Sequence, residues 1–186
     1  MKKIIAALIA LSPSIALAHS GHTDSFFTAF AHPFTGIDHL LMMLCVGIFA
    51  GRIGGHAQWQ LPLAFLSAMI IGWISALMGF SFGAMESGIA TGLIALGAMF
   101  MLKIAMPFIT QLSVVAVFAA LHGMAHGAEL SNATPIAAGL GMLFATALLH
   151  GLGLGIVALL KHIRLDVYRE MGAMLAVFGG VLLAAA

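Results

Sequence analysis

Long apolar stretches with short interruptions dominate the chain from residue 37 onward. Six of them, at 37–54, 60–80, 84–103, 107–127, 135–160 and 167–185, lie near the roughly 20 residues that an α-helix needs to cross a bilayer. They lack the alternation of apolar and polar positions that is typical of membrane β-strands. The pattern predicts an all-α polytopic membrane protein, a bundle of about six transmembrane helices in one domain at 19–186.

Composition places this bundle in a membrane rather than in water. Hydrophobic residues make up 62% of the chain and charged residues 7%, which is too little polar surface to cover a soluble globule of this size. The net charge is only +1, and no basic run with interleaved aromatic residues occurs, so a nucleic-acid-binding role is excluded. Membrane lipid is the expected surrounding.

The first eighteen residues have the layout of a cleavable signal peptide. Met1-Lys2-Lys3 is basic, a short apolar core follows, and Ala16-Leu17-Ala18 forms a small-x-small cleavage site. An uncleaved anchor is the alternative, although Ser12-Pro13-Ser14 interrupts the apolar run well short of a spanning length. In both versions the residues that follow enter the bacterial inner membrane from the periplasmic side, and cleavage leaves the mature N-terminus in the periplasm.

The positions of the basic residues provide a second test of orientation, because Lys and Arg concentrate in cytoplasmic loops. With a periplasmic N-terminus and six spans, every basic residue of the mature chain falls on the cytoplasmic side. These residues are Arg52, Lys103, Lys161, Arg164 and Arg169. Two unrelated signals therefore predict the same multi-pass topology.

Many of the 22 glycines lie inside the predicted spans rather than in linkers. Small residues four positions apart allow membrane helices to approach closely, although glycine is also common in such helices for other reasons. The glycines with this spacing are Gly47/Gly51/Gly55, Gly88/Gly92, Gly123/Gly127 and Gly151/Gly155. We expect a compact bundle. No internal repeat is evident, and association into a homo-oligomer is left open.

The first group of potential metal ligands lies where the first predicted span begins. His32 precedes it, and a helix from about residue 37 would place Asp38, Met42 and Cys45 on one face with His39 beside them. Polar groups at the mouth of an apolar helix lose hydration, so they indicate function. Two alternatives remain: Met42 as a packing residue, and Thr35-Gly-Ile-Asp38 as a variant of the helix capping box.

The second group lies near the outer end of the fourth predicted span. His122 and His126 are four residues apart, which places both imidazoles on one helical face, and Glu129 follows three residues later. This spacing suits a divalent transition metal. An incidental pair that hydrogen-bonds to other helices is the alternative.

Two further polar residues are weaker candidates. Glu86, near the outer end of the third predicted span, is a potential ligand, a proton acceptor or a charge at a helix N-terminus. His150 lies in the apolar middle of the fifth predicted span, where the alternative is a neutral histidine bonded to a neighbouring backbone. We include both in the predicted metal-ligand set.

The types of ligand narrow the choice of ion. Imidazole suits Ni, Cu, Zn and Co, whereas Ca²⁺ and Mg²⁺ prefer oxygen ligands. Because nearly all such sites favour copper over nickel, ligand chemistry alone does not select the metal. A divalent transition metal is the expected partner.

The run from His32 to Gly47 resembles the motif of the HupE/UreJ family of hydrogenase- and urease-accessory membrane proteins. The later run from His122 to Glu129 is similar to that family's second histidine motif. The resemblance implies nickel uptake, with cobalt in some members, by a small secondary permease that serves nickel-enzyme maturation, with nickel-enzyme accessory proteins as partners. It implies functional roles for the matching positions, which are His32, Asp38, His39, His122, His126 and Glu129.

Three functions are therefore compared. The favoured one is a permease, not an enzyme, in which Ni²⁺ is the transported ion, with Co²⁺, Zn²⁺ or Cu as other candidates. A membrane hydrolase with a His/Asp-bound zinc is the first alternative, although no separate general base is evident. A metal-binding accessory protein that never moves the ion is the second.

Overall fold

Seven α-helices make up the part of the chain that the computed structural model describes, residues 25–80, 83–101, 106–130, 134–162 and 166–186. In chain order they are α1 (Ser25–Thr35), α2 (Ile37–Ile53), α3 (Ala57–Leu77), α4 (Met85–Met101), α5 (Phe108–Glu129), α6 (Pro135–His162) and α7 (Tyr168–Ala185). Helices α2 to α7 match the six predicted apolar stretches, so the all-α fold class is confirmed. The predicted signal peptide, residues 1–18, lies outside the described residues.

Helix length and hydropathy identify fewer membrane spans than the sequence pattern predicts. Within the described ranges, four helices, α3, α5, α6 and α7, are long and apolar enough to cross a membrane. A fifth span results if α1 and α2 cross together, although their axes meet at 85°. Because α4 has only 17 residues, it falls short of the usual spanning length. The count of about six spans stays a prediction.

Helix α1 is a feature that the hydrophobic pattern did not predict. The first predicted span begins only at residue 37, yet the aromatic rings of Phe26, Phe30 and Phe34 follow one another at intervals of four residues along α1, with centroids 6.3 and 5.6 Å apart. This helix packs along α6, where a Cβ on Gly141 would collide with the carbonyl oxygen of Phe26. The chain then turns sharply into α2.

Besides α1 with α6, three pairs of helices touch backbone to backbone at glycines, namely α3 with α5, α2 with α6 and α4 with α7. Between α3 and α5, a Cβ on Gly72 would collide with the carbonyl oxygen of Ala120, and a Cβ on Gly123 with that of Met69. Such contacts hold membrane helices together by close packing. They confirm the predicted role of Gly123, and Gly72 takes part without having been singled out in the sequence.

Between α2 and α6, a Cβ on Gly47 would collide with the carbonyl oxygen of His150, and a Cβ on Gly153 with that of Leu44. The predicted pair Gly151/Gly155 takes no part, because no described atom lies within 4 Å of a Cβ built on either glycine. Residue 153, on another face of α6, makes the contact instead. That part of the glycine prediction is therefore wrong.

One end of the bundle is held together by basic side chains. The Arg52 guanidinium donates a hydrogen bond of 2.9 Å to the carbonyl oxygen of Phe100 and lies 4.9 Å from the ring centroid of Tyr168. Lys161 donates a hydrogen bond of 2.9 Å to the carbonyl oxygen of Gly51. The last turns of α2, α4 and α6 and the first turn of α7 therefore meet at the end of α2 that is remote from His39.

Candidate metal centre

The joint between α1 and α2 places the first group of polar side chains. Gly36 occupies this joint, and a Cβ there would lie 3.0 Å from both Asp38 Oδ1 and His39 Nδ1. The Thr35 hydroxyl donates to the carbonyl oxygen of His32, and no side chain caps α2. The capping-box alternative is therefore wrong, and the Asp38 carboxylate is directed to its neighbouring imidazole instead.

Asp38 and His39 form a close pair at the start of α2. The carboxylate Oδ1 lies 2.8 Å from Nδ1 of the imidazole, so a proton on Nδ1 is held by the carboxylate. The opposite ring nitrogen of His39, Nε2, is buried and has no hydrogen-bond partner among the described residues. That nitrogen is left with its lone pair free to bind a cation.

The two histidines of α5 repeat this arrangement. His122 Nδ1 donates to the carbonyl oxygen of Phe118 at 2.9 Å, and His126 Nδ1 donates to Glu129 Oε2 at 3.3 Å. Both side chains are fully buried. Their Nε2 atoms, like that of His39, have no hydrogen-bond partner within the described part of the chain.

These three imidazoles, which we call the imidazole triad (His39, His122 and His126), lie side by side. The ring centroid of His39 is 4.4 Å from that of His126 and 5.2 Å from that of His122, and the two α5 rings are 6.3 Å apart. A buried polar atom without a partner costs about 1–3 kcal/mol. Three such atoms on neighbouring rings indicate a partner other than the described residues.

A transition metal fits this donor set. Metal-ligating histidines usually donate their other ring N–H to a carboxylate or carbonyl oxygen, which fixes the tautomer and directs the free nitrogen. Asp38, the Phe118 carbonyl and Glu129 occupy those positions here. Two of the three are carboxylates, which offset part of the charge of a dication.

A second, more exposed set lies beside the triad. His32 Nε2 is 2.9 Å from Glu129 Oε2, and ligand atoms of His32, His126 and Glu129 all lie within 4.8 Å of one another. We call these three residues the entry group. The side chains of His32 and Glu129 are 32% and 44% exposed, so both are accessible from outside the bundle. Because His126 belongs to both sets, they are adjacent.

The structure brings six of the nine predicted ligands together and leaves three elsewhere. His150 is buried in α6, with its ring centroid 5.0 Å from that of Phe65. Met42 is buried against α4, where its methyl group would lie 2.7 Å from a Cβ on Gly92. Glu86 is exposed in the first turn of α4 and belongs to neither set. Their roles as ligands stay predictions.

Sequence reasoning missed two residues that shape this region. Phe65 of α3 is fully buried, and its ring centroid lies 6.0 Å from that of His122 and 5.0 Å from that of His150. Nothing in the apolar run around Phe65 distinguishes it. Gly36, in contrast, is part of the first motif, and its position two residues before Asp38 was a usable signal.

Comparisons with known proteins agree with these observations. The model of the HupE / UreJ protein family matches residues 6–182. Protein HupE of Rhizobium leguminosarum bv. viciae is 40% identical over 162 residues, which cover 84% of this chain and 84% of that protein. No solved structure gives a significant match. With nearly its whole length matched, the chain belongs to the HupE/UreJ family.

Proposed function

We propose that this protein is a secondary permease of the bacterial inner membrane. It takes up a divalent transition metal, foremost Ni²⁺, from the periplasm to the cytoplasm for nickel-enzyme maturation. One observation carries the proposal: three buried imidazoles from two different helices lie side by side, and their Nε2 atoms have no partners among the described residues. An intramembrane site of this kind marks an ion pathway.

The entry group and the imidazole triad act in sequence. The partly exposed His32 and Glu129 capture the hydrated ion, and the carboxylate begins to offset its charge. His126 contributes to both sets, so it passes the ion to His39 and His122 without a gap. Each step replaces water by imidazole nitrogen as the ion leaves solvent, which suits Ni, Co, Zn or Cu better than Mg²⁺.

The two ends of the bundle support uptake as the direction of transport. The imidazoles lie at the start of α2, and Arg52 and Lys161 lie at the other end of that helix. Because basic residues concentrate on the cytoplasmic side, the histidine end faces the periplasm. Nickel as the preferred ion rests on the family resemblance. The sequence contains no phosphate-binding loop motif, so transport is downhill or coupled to another ion.

The same three imidazoles would also suit a zinc hydrolase, which uses three protein ligands and one open position. A hydrolase needs a general base beside the metal-bound water. Glu129, the carboxylate beside His126, already accepts hydrogen bonds from His126 and His32. This engagement favours ion capture over base catalysis. A non-transporting accessory protein would use the same ligands and differs only in the absence of flux.

Uptake into proteoliposomes tests the proposal. Ni²⁺, Co²⁺, Zn²⁺ and Cu⁺ are supplied side by side, and the wild-type protein is expected to accumulate Ni²⁺ while His39→Ala and Asp38→Ala do not. His56→Ala is the matched control, because His56 is exposed at the basic end of the bundle. Tight Ni²⁺ binding without flux would refute the permease and favour the accessory role, and Zn²⁺ retained through purification would favour the hydrolase.

A further inference from the structure

His150 is a histidine buried deep in the bundle, where its ring nitrogens need a hydrogen-bond or metal partner. Its side chain is 1% exposed, and neither ring nitrogen has a hydrogen-bond partner among the residues that the structure describes. In the imidazole triad, by contrast, each Nδ1 is engaged. A leucine would fill this space without desolvating two nitrogens, so the histidine costs stability where it stands. This cost indicates that something else binds there.

Two sulfur atoms converge one helical turn away. The Thr146 hydroxyl lies 3.3 Å from Sδ of Met43 and 3.7 Å from Sδ of Met69. Thr146 and His150 are four residues apart on α6, and side chains on a helix lean toward the preceding turn. The imidazole of His150 therefore leans toward the turn where the two thioethers meet. All four side chains are almost completely buried.

Phe65 is a neighbour of both this place and the imidazole triad. Its ring centroid lies 6.0 Å from that of His122 and 5.0 Å from that of His150. The two sets of ligands therefore share one aromatic neighbour. Met43 lies four residues after His39 on α2, one turn toward the basic end of the helix. The two sets follow one another along the bundle.

We propose that His150, Met43, Met69 and Thr146 form a second, inner metal position. Its role as the next binding site of a transported ion rests on the proposed permease function. Binding of an ion at this position does not depend on that function. All four ligands are neutral, unlike the carboxylate-bearing entry group, so an ion is held less tightly and leaves again, as conduction requires. Thioethers favour soft cations, so this inner position rejects Mg²⁺ and Ca²⁺.

Sulfur coordination distinguishes the inner position from the outer ones, because the triad and the entry group offer only nitrogen and oxygen. The full chain is purified as His126→Ala, which weakens both outer sets, and is loaded with one equivalent of Ni²⁺. Nickel-edge X-ray absorption is expected to show sulfur neighbours. Met43→Leu with Met69→Leu, a change that nearly conserves volume, removes that signal. Cys45→Ala is the sulfur control and retains it.

Equilibrium dialysis of Ni²⁺ gives the second readout. His150→Leu is expected to bind one ion fewer than the wild-type protein, and Gly151→Ala, whose Cβ would meet no described atom within 4 Å, is expected to bind the same number. A Ni²⁺ spectrum with only nitrogen and oxygen neighbours, or unchanged stoichiometry in His150→Leu, overturns the inner position. Sulfur neighbours in His126→Ala, together with no Ni²⁺ uptake by the wild-type protein, would refute the permease and leave this site standing.

Discussion

The imidazole of His32 lies 2.9 Å from the carboxylate of Glu129, a residue 97 positions later in the chain. This contact joins α1 to the end of α5 and closes the outer side of the metal centre. Both groups are partly exposed, and Glu129 also accepts a hydrogen bond from His126, a member of the imidazole triad. Its role is therefore measurable through metal binding.

Removal of either partner is expected to weaken Ni²⁺ binding. His32→Ala and Glu129→Gln should each lower the affinity on the order of 10- to 100-fold, the range found when groups around a metal ligand are lost. The double variant should lose less than the sum of the two, because both act on one ion. Isothermal titration of the purified protein measures this coupling. Glu170→Gln, an exposed change on α7, should bind normally, and additive losses would contradict a shared site.

Asp38 is expected to act through His39. Asp38→Asn removes the charge beside His39 Nδ1, so the affinity for Ni²⁺ should fall roughly 10- to 100-fold while the protein stays folded. Asp166→Asn makes the same chemical change at the start of α7, where the side chain only accepts a hydrogen bond from the Tyr168 backbone, and should leave binding unchanged. Equal affinities of the two variants would show that Asp38 does not support the site.

The contact between α2 and α6 is expected to tolerate no side chain at Gly47. Gly47→Ala would place a methyl group against the backbone of His150, and backbone atoms have little freedom to move. Overpacking of this kind costs about 1–3 kcal/mol, so the thermal unfolding midpoint in detergent should fall. Gly151→Ala should unfold at or above the wild-type temperature, because alanine favours the helix. A stable Gly47→Ala variant would contradict the close approach.

The orientation of the bundle is testable by chemical labelling. In a Cys45→Ala background, Thr28→Cys is exposed on α1 and Gln58→Cys is exposed in the first turn of α3. A membrane-impermeant maleimide should label the first variant in intact spheroplasts and the second only after lysis. The reverse pattern would place the histidine end in the cytoplasm and turn the proposed uptake into export.

The sequence predicted the helices better than their arrangement. The lengths of the apolar runs were enough to predict α2 to α7, because a continuous apolar run inside a bilayer must satisfy its backbone hydrogen bonds within a helix. The length of apolar runs did not predict helix α1, because this helix is short and its aromatic residues alternate with small and polar ones. For the site, the spacing of His122 and His126 predicted a shared face correctly. The contact of His32 with Glu129 depends on how α1 turns at Gly36, which no local pattern determines.

The residues of the proposed inner position show the same limit. Met43, Met69 and Thr146 are ordinary residues of apolar helices, and they differ from other methionines and threonines only in their neighbours. Those neighbours come from three helices, so their convergence requires the packing of α2, α3 and α6 to be known. His150 was identifiable from the sequence as an imidazole in an apolar run, without its partners.

The glycine contacts tie six helices of the bundle into three close pairs, α2 with α6, α3 with α5 and α4 with α7. Every proposed metal position takes ligands from the α3–α5 pair and from either the α2–α6 pair or α1, which rests on α6. The triad draws on α2 and α5, and the inner position on α2, α6 and α3. A small rocking of the α3–α5 pair against the α2–α6 pair would therefore change the distances between the ligands of every proposed position. In such a motion, release of the ion from one position would be coupled to its binding at the next, as alternating access requires.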